Sequence, residues 1–167
     1  FETPPTSVDL DSPAHRALAR RLAEESVVLL SNDGTLPLAS PRRVAVIGPN
    51  GDSSEALMGC YSFVNHVLAH HPGVPLGFEI PTLAASITEV LADAEVTVVR
   101  GCEAEGDDRS GFAEAEDAAR AADVAIVAVG DRAGLFGRGT VGEGNDADSL
   151  ELPGVQRELV ERLVATG

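Results

Sequence analysis

Arg43-Val44-Ala45-Val46-Ile47-Gly48-Pro49-Asn50-Gly51 holds four consecutive apolar residues closed by a turn sequence. A strand that is apolar on both faces belongs inside a sheet covered by helices, the setting of a parallel sheet. Two apolar runs repeat the pattern downstream, at residues 95–99 and 124–129. Between them the sequence predicts helices over residues 82–92, just after Pro81, and 112–122; a last helix covers 154–165. Strands alternating with helices mean βαβ units. The expected fold class is therefore α/β, a mostly parallel sheet with helices on both faces (an α/β sandwich), with the three strands mutually parallel.

Upstream, Ser12-Pro13 is a helix start, a capping residue followed by proline at the first helical position. Ala17, Leu18, Leu22 and Ser26 keep a helical period and lead into Val27-Val28-Leu29-Leu30, a run that predicts a buried strand. Asn32-Asp33-Gly34 is a tight turn and Leu36-Pro37-Leu38 an extended exit. Residues 1–11, rich in Pro, Thr and Ser, read as a linker, which leaves 12–167 as the domain. By the same alternation the last helix should feed another strand, yet the sequence stops at Gly167. The sandwich is thus expected to be incomplete at its C-terminal end.

The 167 residues suffice for one core, and 44% hydrophobic with 23% charged residues is an ordinary globular balance. No apolar run approaches the ~20 residues of a bilayer crossing, so no membrane partner is expected. A basic segment followed by an apolar stretch is missing from the start, so no signal peptide is expected either. A net charge of −15 argues against a nucleic-acid partner, since phosphate binding needs clustered cations. The acidity is spread along the chain and reads as solubility. Cys60 and Cys102 form no CxxC motif; buried free thiols are expected, with one disulfide as the alternative and the redox compartment undecided.

Two irregular regions stand apart. Residues 59–77 have little periodicity and hold His66, His70 and His71. Residues 130–149 are rich in Gly and acidic residues and read as one long loop, which in a compact domain is functional or disordered. It follows a strand directly and so leaves the sheet at a carboxyl edge, where open α/β sheets place their ligands. Within it Glu143 lies between Gly142 and Gly144, neighbours that let a backbone approach a ligand and leave a carboxylate unshielded.

Gly142-Glu143-Gly144-Asn145-Asp146, followed by Leu150-Glu151-Leu152-Pro153-Gly154-Val155-Gln156, resembles the signature of the α/β-sandwich domain of family 3 glycoside hydrolases. In that family the pattern is roughly Glu-Gly-x-Asp-Arg, then Leu-x-Leu-Pro and a Gln. The stretch from Ala23 through Val27-Val28-Leu29-Leu30 to Leu36-Pro37-Leu38 resembles the family's lead-in helix and first strand. Val44-Ala45-Val46-Ile47-Gly48-Pro49-Asn50, Gly59-Cys60-Tyr61-Ser62 and Ala121-Ala122-Asp123-Val124 follow in family order.

This resemblance implies a retaining β-glycosidase of the β-glucosidase or β-xylosidase type, acting on β-linked oligosaccharides or glycosides without a cofactor or metal. It implies an Asp nucleophile on an N-terminal (β/α)₈ barrel of the same protein and a Glu acid/base on a loop of this domain, here Glu143. A barrel needs about 250 residues, so the nucleophile lies outside this chain and the chain alone is expected to be inactive. Beside that Asp, a partly desolvated Glu143 is expected to hold a proton near neutral pH. Ala147 stands where the family often has Arg, and Asp146 reads as a loop-fixing residue. Tyr61, Phe136 and Arg138 are the candidates for substrate contact. Tyr61 with Phe63 reads either as a sugar-subsite wall or as an apolar anchor.

Other readings of single features are blander. His66, His70 and His71 lack the Cys or carboxylate spacing of a metal site and read as surface or packing residues. Gly48-Pro49-Asn50-Gly51 lacks the glycine and lysine pattern of a phosphate loop and reads as a turn. Glu103, Glu105, Asp107 and Asp108 do not have EF-hand spacing and read as a solvated loop. The competing function class is a non-catalytic α/β binding or scaffold domain, with nucleotide as one ligand.

Overall fold

The computed structural model describes residues 9, 11–75 and 79–167. The expected linker at 1–11 therefore lies almost wholly outside the described residues, as do residues 76–77 of the histidine-bearing region. The chain forms two compact units, Phe1–Ala39 and Ser40–Gly167.

In the first unit, helix α1 spans Pro13–Ser26. Ser12 caps it, its hydroxyl accepting from the His15 N–H at 3.2 Å, with Pro13 opening the first turn. Arg20–Glu24 and Arg21–Glu25 pairs line its surface. The buried strand expected at Val27-Val28-Leu29-Leu30 is not formed: these side chains are 64–92% exposed. An apolar run becomes a strand only where a neighbour supplies ladder bonds, and no described strand pairs with it.

The second unit carries the sheet. β1 (Arg43–Ile47), β2 (Glu95–Val99) and β3 (Val124–Val127) line up in the order β2-β1-β3, all parallel as the apolar runs required. β3 stops two residues earlier than expected. Helices α2 (Leu83–Val90), α3 (Phe112–Ala121) and α4 (Gln156–Val164) alternate with the strands, each slightly shorter than its sequence pattern. Thr82 ends up as the cap of α2 rather than its first turn, accepting from the Ala85 N–H at 3.1 Å.

β1 explains the sandwich. Alternate side chains point to opposite faces of a strand. Ala45 and Ile47 pack with Phe112, Ala115, Leu159 and Leu163 of α3 and α4. Val44 and Val46 pack with Ala84 and Ile87 of α2. All four are essentially inaccessible. Leu159 and Leu163, one helical turn apart, present a single buried stripe.

At the amino edge, Asp123 closes the sheet. Its Oδ2 accepts from the backbone N–H groups of Arg42 and Arg43, both at 3.0 Å, and its Oδ1 accepts from the Arg43 guanidinium at 2.8 Å. At the carboxyl edge, Gly48 turns with a positive φ of 120°, so close to β3 that a Cβ would lie 2.3 Å from the Ala128 carbonyl oxygen. The Gly48–Gly51 segment is the turn expected.

Candidate active site

The segment expected as one loop over residues 130–149 contains two short strands. β4 (Ala133–Leu135) and β5 (Val141–Glu143) pair in parallel, with Leu135 opposite Glu143. Parallel neighbours usually need a crossover of a dozen or more residues. Here five residues suffice, because Phe136, Gly137 and Gly139 all take left-handed backbone conformations. Three-residue strands with interspersed glycines carry too little periodicity to be read from sequence.

The pair is tied to the main sheet. The Arg132 guanidinium donates through Nη2 to the Pro49 carbonyl at 2.9 Å. Asn50 Nδ2 donates to the Gly130 carbonyl at 3.2 Å, and the buried Gln156 side chain anchors the same glycine. Thr140 joins the two ends of the excursion, accepting from the Arg132 N–H and donating to Asp131, at 2.9 and 2.8 Å. Asn145 staples the tip: its Nδ2 reaches the carbonyls of Arg138 and Gly139, and its N–H reaches the Gly142 carbonyl at 2.8 Å. The loop-fixing role expected of Asp146 thus belongs to Asn145. Asp146 and Asp148 are exposed and make no side-chain hydrogen bond among the described residues.

Glu143 ends β5 with its side chain exposed to solvent. Its backbone is fixed on both sides. The carbonyl accepts from the Phe136 N–H at 3.1 Å, and the N–H donates to Cys60 Sγ at 3.3 Å. The Tyr61 hydroxyl donates to Glu143 Oε2. This bond first, and then the carboxylate's charge, pushes the Tyr61 phenol above its ordinary value. Among the described residues no ion pair includes Glu143.

The histidine-bearing region is brought to the same place. It contains a single π-helical turn, Val64–Leu68, that the sequence reading left irregular. Asn65 Nδ2 donates at 3.0 Å to both the Gly59 and the Ala133 carbonyls, so residues 59–65 are stitched to β4. His66 and His70 flank the Phe136 ring, with centroids at 6.2 and 5.7 Å. Tyr61 and Phe136 therefore belong to one surface with Glu143. Phe63 is exposed, and the Arg138 guanidinium is exposed without an ion pair among the described residues. Cys60 and Cys102 are free thiols; Cys102 is buried and Cys60 half-buried. Among the described residues no group of three or more His, Cys, Asp or Glu could hold a metal ion.

Neither period nor composition marks Asn65, and Asn145 and Gln156 stand in the family motif with no role that the sequence alone assigns. Their positions in that motif were the only signal, because side-chain bonds to distant carbonyls leave no periodic trace.

The description "Glycosyl hydrolase family 3 C-terminal domain" matches residues 27–167. The chain is 32% identical over its whole length to a β-xylosidase of Formosa agariphila, covering 23% of that protein. It is 33% identical over 99% of its length to a periplasmic β-glucosidase of Salmonella typhimurium, again covering 23%. Among solved structures, a β-glucosidase involved in saponin metabolism from intestinal bacteria superposes with a TM-score of 0.81 at 27% identity, over 93% of this chain and 23% of that one. A GH3 exo-β-xylosidase bound to a xylobiose aziridine activity-based probe gives 0.70 at 29% identity, over 91% and 17%. The chain spans less than a quarter of the length of these relatives. With its sheet order, both helical layers and most of its residues inside the match, the chain belongs to glycosyl hydrolase family 3, within the C-terminal domain of that family.

Proposed function

We propose that this chain supplies the general acid/base of a retaining β-glycosidase of the β-glucosidase or β-xylosidase type, and that Glu143 is the group. The observation that carries the reading is the setting of Glu143. Its carboxylate is exposed and outside any ion pair among the described residues, while its backbone is bonded on both sides at the carboxyl edge of the sheet. A carboxylate kept for structure is usually consumed by an arginine, as Asp123, Glu116 and Glu158 are here.

Retaining hydrolysis needs a second carboxyl group about 5–5.5 Å away, one group attacking the anomeric carbon while the other protonates the leaving oxygen. The barrel of the full-length protein is the proposed source of that nucleophile, in keeping with relatives more than four times as long as this chain. In the first half of the reaction Glu143 gives its proton to the departing oxygen. In the second it takes one from the water that attacks the glycosyl-enzyme. The test is Glu143→Ala in the full-length enzyme with azide added. Azide attacks the intermediate without a general base, so partial recovery on an activated aryl glycoside, with a β-glycosyl azide as product, is expected. Full activity of Glu143→Ala, or azide rescue of Asp131, Asp146 or Asp148 variants instead, would overturn the assignment.

A further inference from the structure

We propose that Tyr61 is a positioning residue for Glu143: its hydroxyl holds carboxylate oxygen Oε2 and leaves Oε1 to face the glycosidic oxygen. The inference rests on Glu143 being the acid/base, but it comes from a separate set of contacts. A carboxylate between two glycines has little around it to select a rotamer. A general acid must nevertheless sit within hydrogen-bond reach of the oxygen it protonates, and small misplacements are costly. Tyr61 supplies the missing restraint through its bond to Oε2, while Oε1 carries no hydrogen bond among the described residues.

The hydroxyl is itself delivered by a pinned segment. Ser62 N–H donates to the Gly59 carbonyl at 3.0 Å, and Asn65 bonds both Gly59 and Ala133, the latter in the strand beside β5. Cys60, the residue before Tyr61, receives the Glu143 N–H through its sulfur. At Gly142 a Cβ would stand only 3.1 Å from that sulfur. Cys60 therefore backs Gly142 and Glu143 of β5, Asn65 holds the segment to β4, and Tyr61 is the member of residues 59–65 that reaches the carboxylate.

The other groups near Glu143 do not compete for it. Cys60 meets its backbone. His66 and His70 pack on the Phe136 ring. Arg138 and Asp146, from the same excursion, are exposed and make no ion pair among the described residues. The Tyr61 phenol, pushed above its ordinary value by its bond to Glu143 and by the charge of the carboxylate, keeps its proton and stays a donor through both halves of the reaction.

The experiment uses the full-length enzyme. Tyr61→Phe keeps the ring and removes a hydroxyl on a side chain that is 68% exposed, so an unchanged melting midpoint is expected. For an alkyl β-glycoside kcat should fall roughly 10-fold, below the ~10²–10⁴-fold expected for losing the acid/base itself, with KM unchanged within about twofold. In a Glu143→Ala background, Tyr61→Phe should cost nothing further in the azide-rescued rate, since its partner is absent. A loss that falls on KM instead of kcat, or an additive loss in the double variant, overturns the inference and makes Tyr61 a substrate contact or a bystander. If Glu143→Ala is rescued by azide while Tyr61→Phe matches the unsubstituted enzyme, only this inference fails. A fully active Glu143→Ala removes it together with the acid/base reading.

Discussion

The side-chain amide of Gln156 forms a two-way ring with the backbone of Gly130: Oε1 accepts from the Gly130 N–H at 2.8 Å and Nε2 donates to the Gly130 carbonyl at 3.1 Å. Nε2 also donates to the Ala104 carbonyl at 2.7 Å, and Gln156 is wholly buried. The first residue of α4 thus does for Gly130 what a neighbouring strand would do, and it fixes where the chain leaves β3 for the site. Gln156→Leu would leave the Gly130 N–H and the Ala104 carbonyl without these partners. At about 1–3 kcal/mol for each group left unpaired, a loss of about 2–6 kcal/mol is expected. Urea unfolding should show a lowered midpoint with an unchanged slope. Gln156→Glu should be no better, because it faces two carbonyls with acceptors.

Gly142→Ala should disable the site without touching the carboxylate. Gly142 has a φ of 127°, and a Cβ there would stand 2.0 Å from the Gly134 carbonyl oxygen across the β4–β5 pair. The backbone must move, and Glu143 moves with it. On the proposed role of Glu143, a misplaced acid/base forfeits most of its contribution, so kcat of the full-length enzyme should drop on the order of 10²-fold. Gly137→Ala is the control: a Cβ there meets nothing within 4 Å, though its φ of 79° carries strain of its own. Kinetics on both variants, beside their melting curves, separate collision from strain.

The pH dependence of stability should carry the mark of Asp123. Hydrogen bonding from the Arg43 guanidinium, then from the backbone N–H groups of Arg43 and Arg42, holds its carboxyl below its ordinary 3.8. A carboxylate more acidic in the folded than in the unfolded state contributes stability above its unfolded pKa, and that contribution is lost as pH falls through the folded value. Asp123→Asn should therefore be less stable than the parent at neutral pH, with the gap narrowing below about pH 4. The Asp123 side chain is 38% exposed, so the ionic part of the gap should shrink in high salt. Glu116 and Glu158, held low chiefly by Arg162 and Arg109 respectively, leave the remaining acid limb in place. Denaturation midpoints from pH 7 down to pH 3 check the prediction.

For Glu143→Ala in the full-length enzyme, the loss should depend on the leaving group. Alkyl and sugar aglycones need protonation in the first step and should lose ~10²–10⁴-fold or more, while activated aryl glycosides still form the glycosyl-enzyme. A burst of aryl alcohol followed by a slow steady state is the expected signature. An equal loss on both substrate types would point to a structural role instead.

What sequence made legible was what has a period. The apolar runs at Arg43–Ile47, Glu95–Val99 and Val124–Val127 fixed three parallel strands, and helices over both faces had to follow to cover them. Ser12-Pro13 and Thr82 announced helix starts through capping chemistry that needs only neighbouring residues. The same reasoning failed at Val27-Val28-Leu29-Leu30. Apolar content shows that a segment seeks burial but not whether a partner strand is there to receive it.

Local sequence by itself determined the α/β class, because strand and helix periods depend on residues a few positions apart, and it marked Glu143 only as an unshielded carboxylate between glycines; the proposed acid/base role came with the family resemblance. Only the tertiary structure decided what surrounds Glu143. Tyr61 and Cys60 lie 82 and 83 positions from it in the chain, Gln156 is 26 from Gly130, and Asn65 is 68 from Ala133. Hydrogen bonds over such separations form when the sheet and its helices bring loop ends together at one edge. No local pattern encodes them, since a donor and an acceptor need only meet in space.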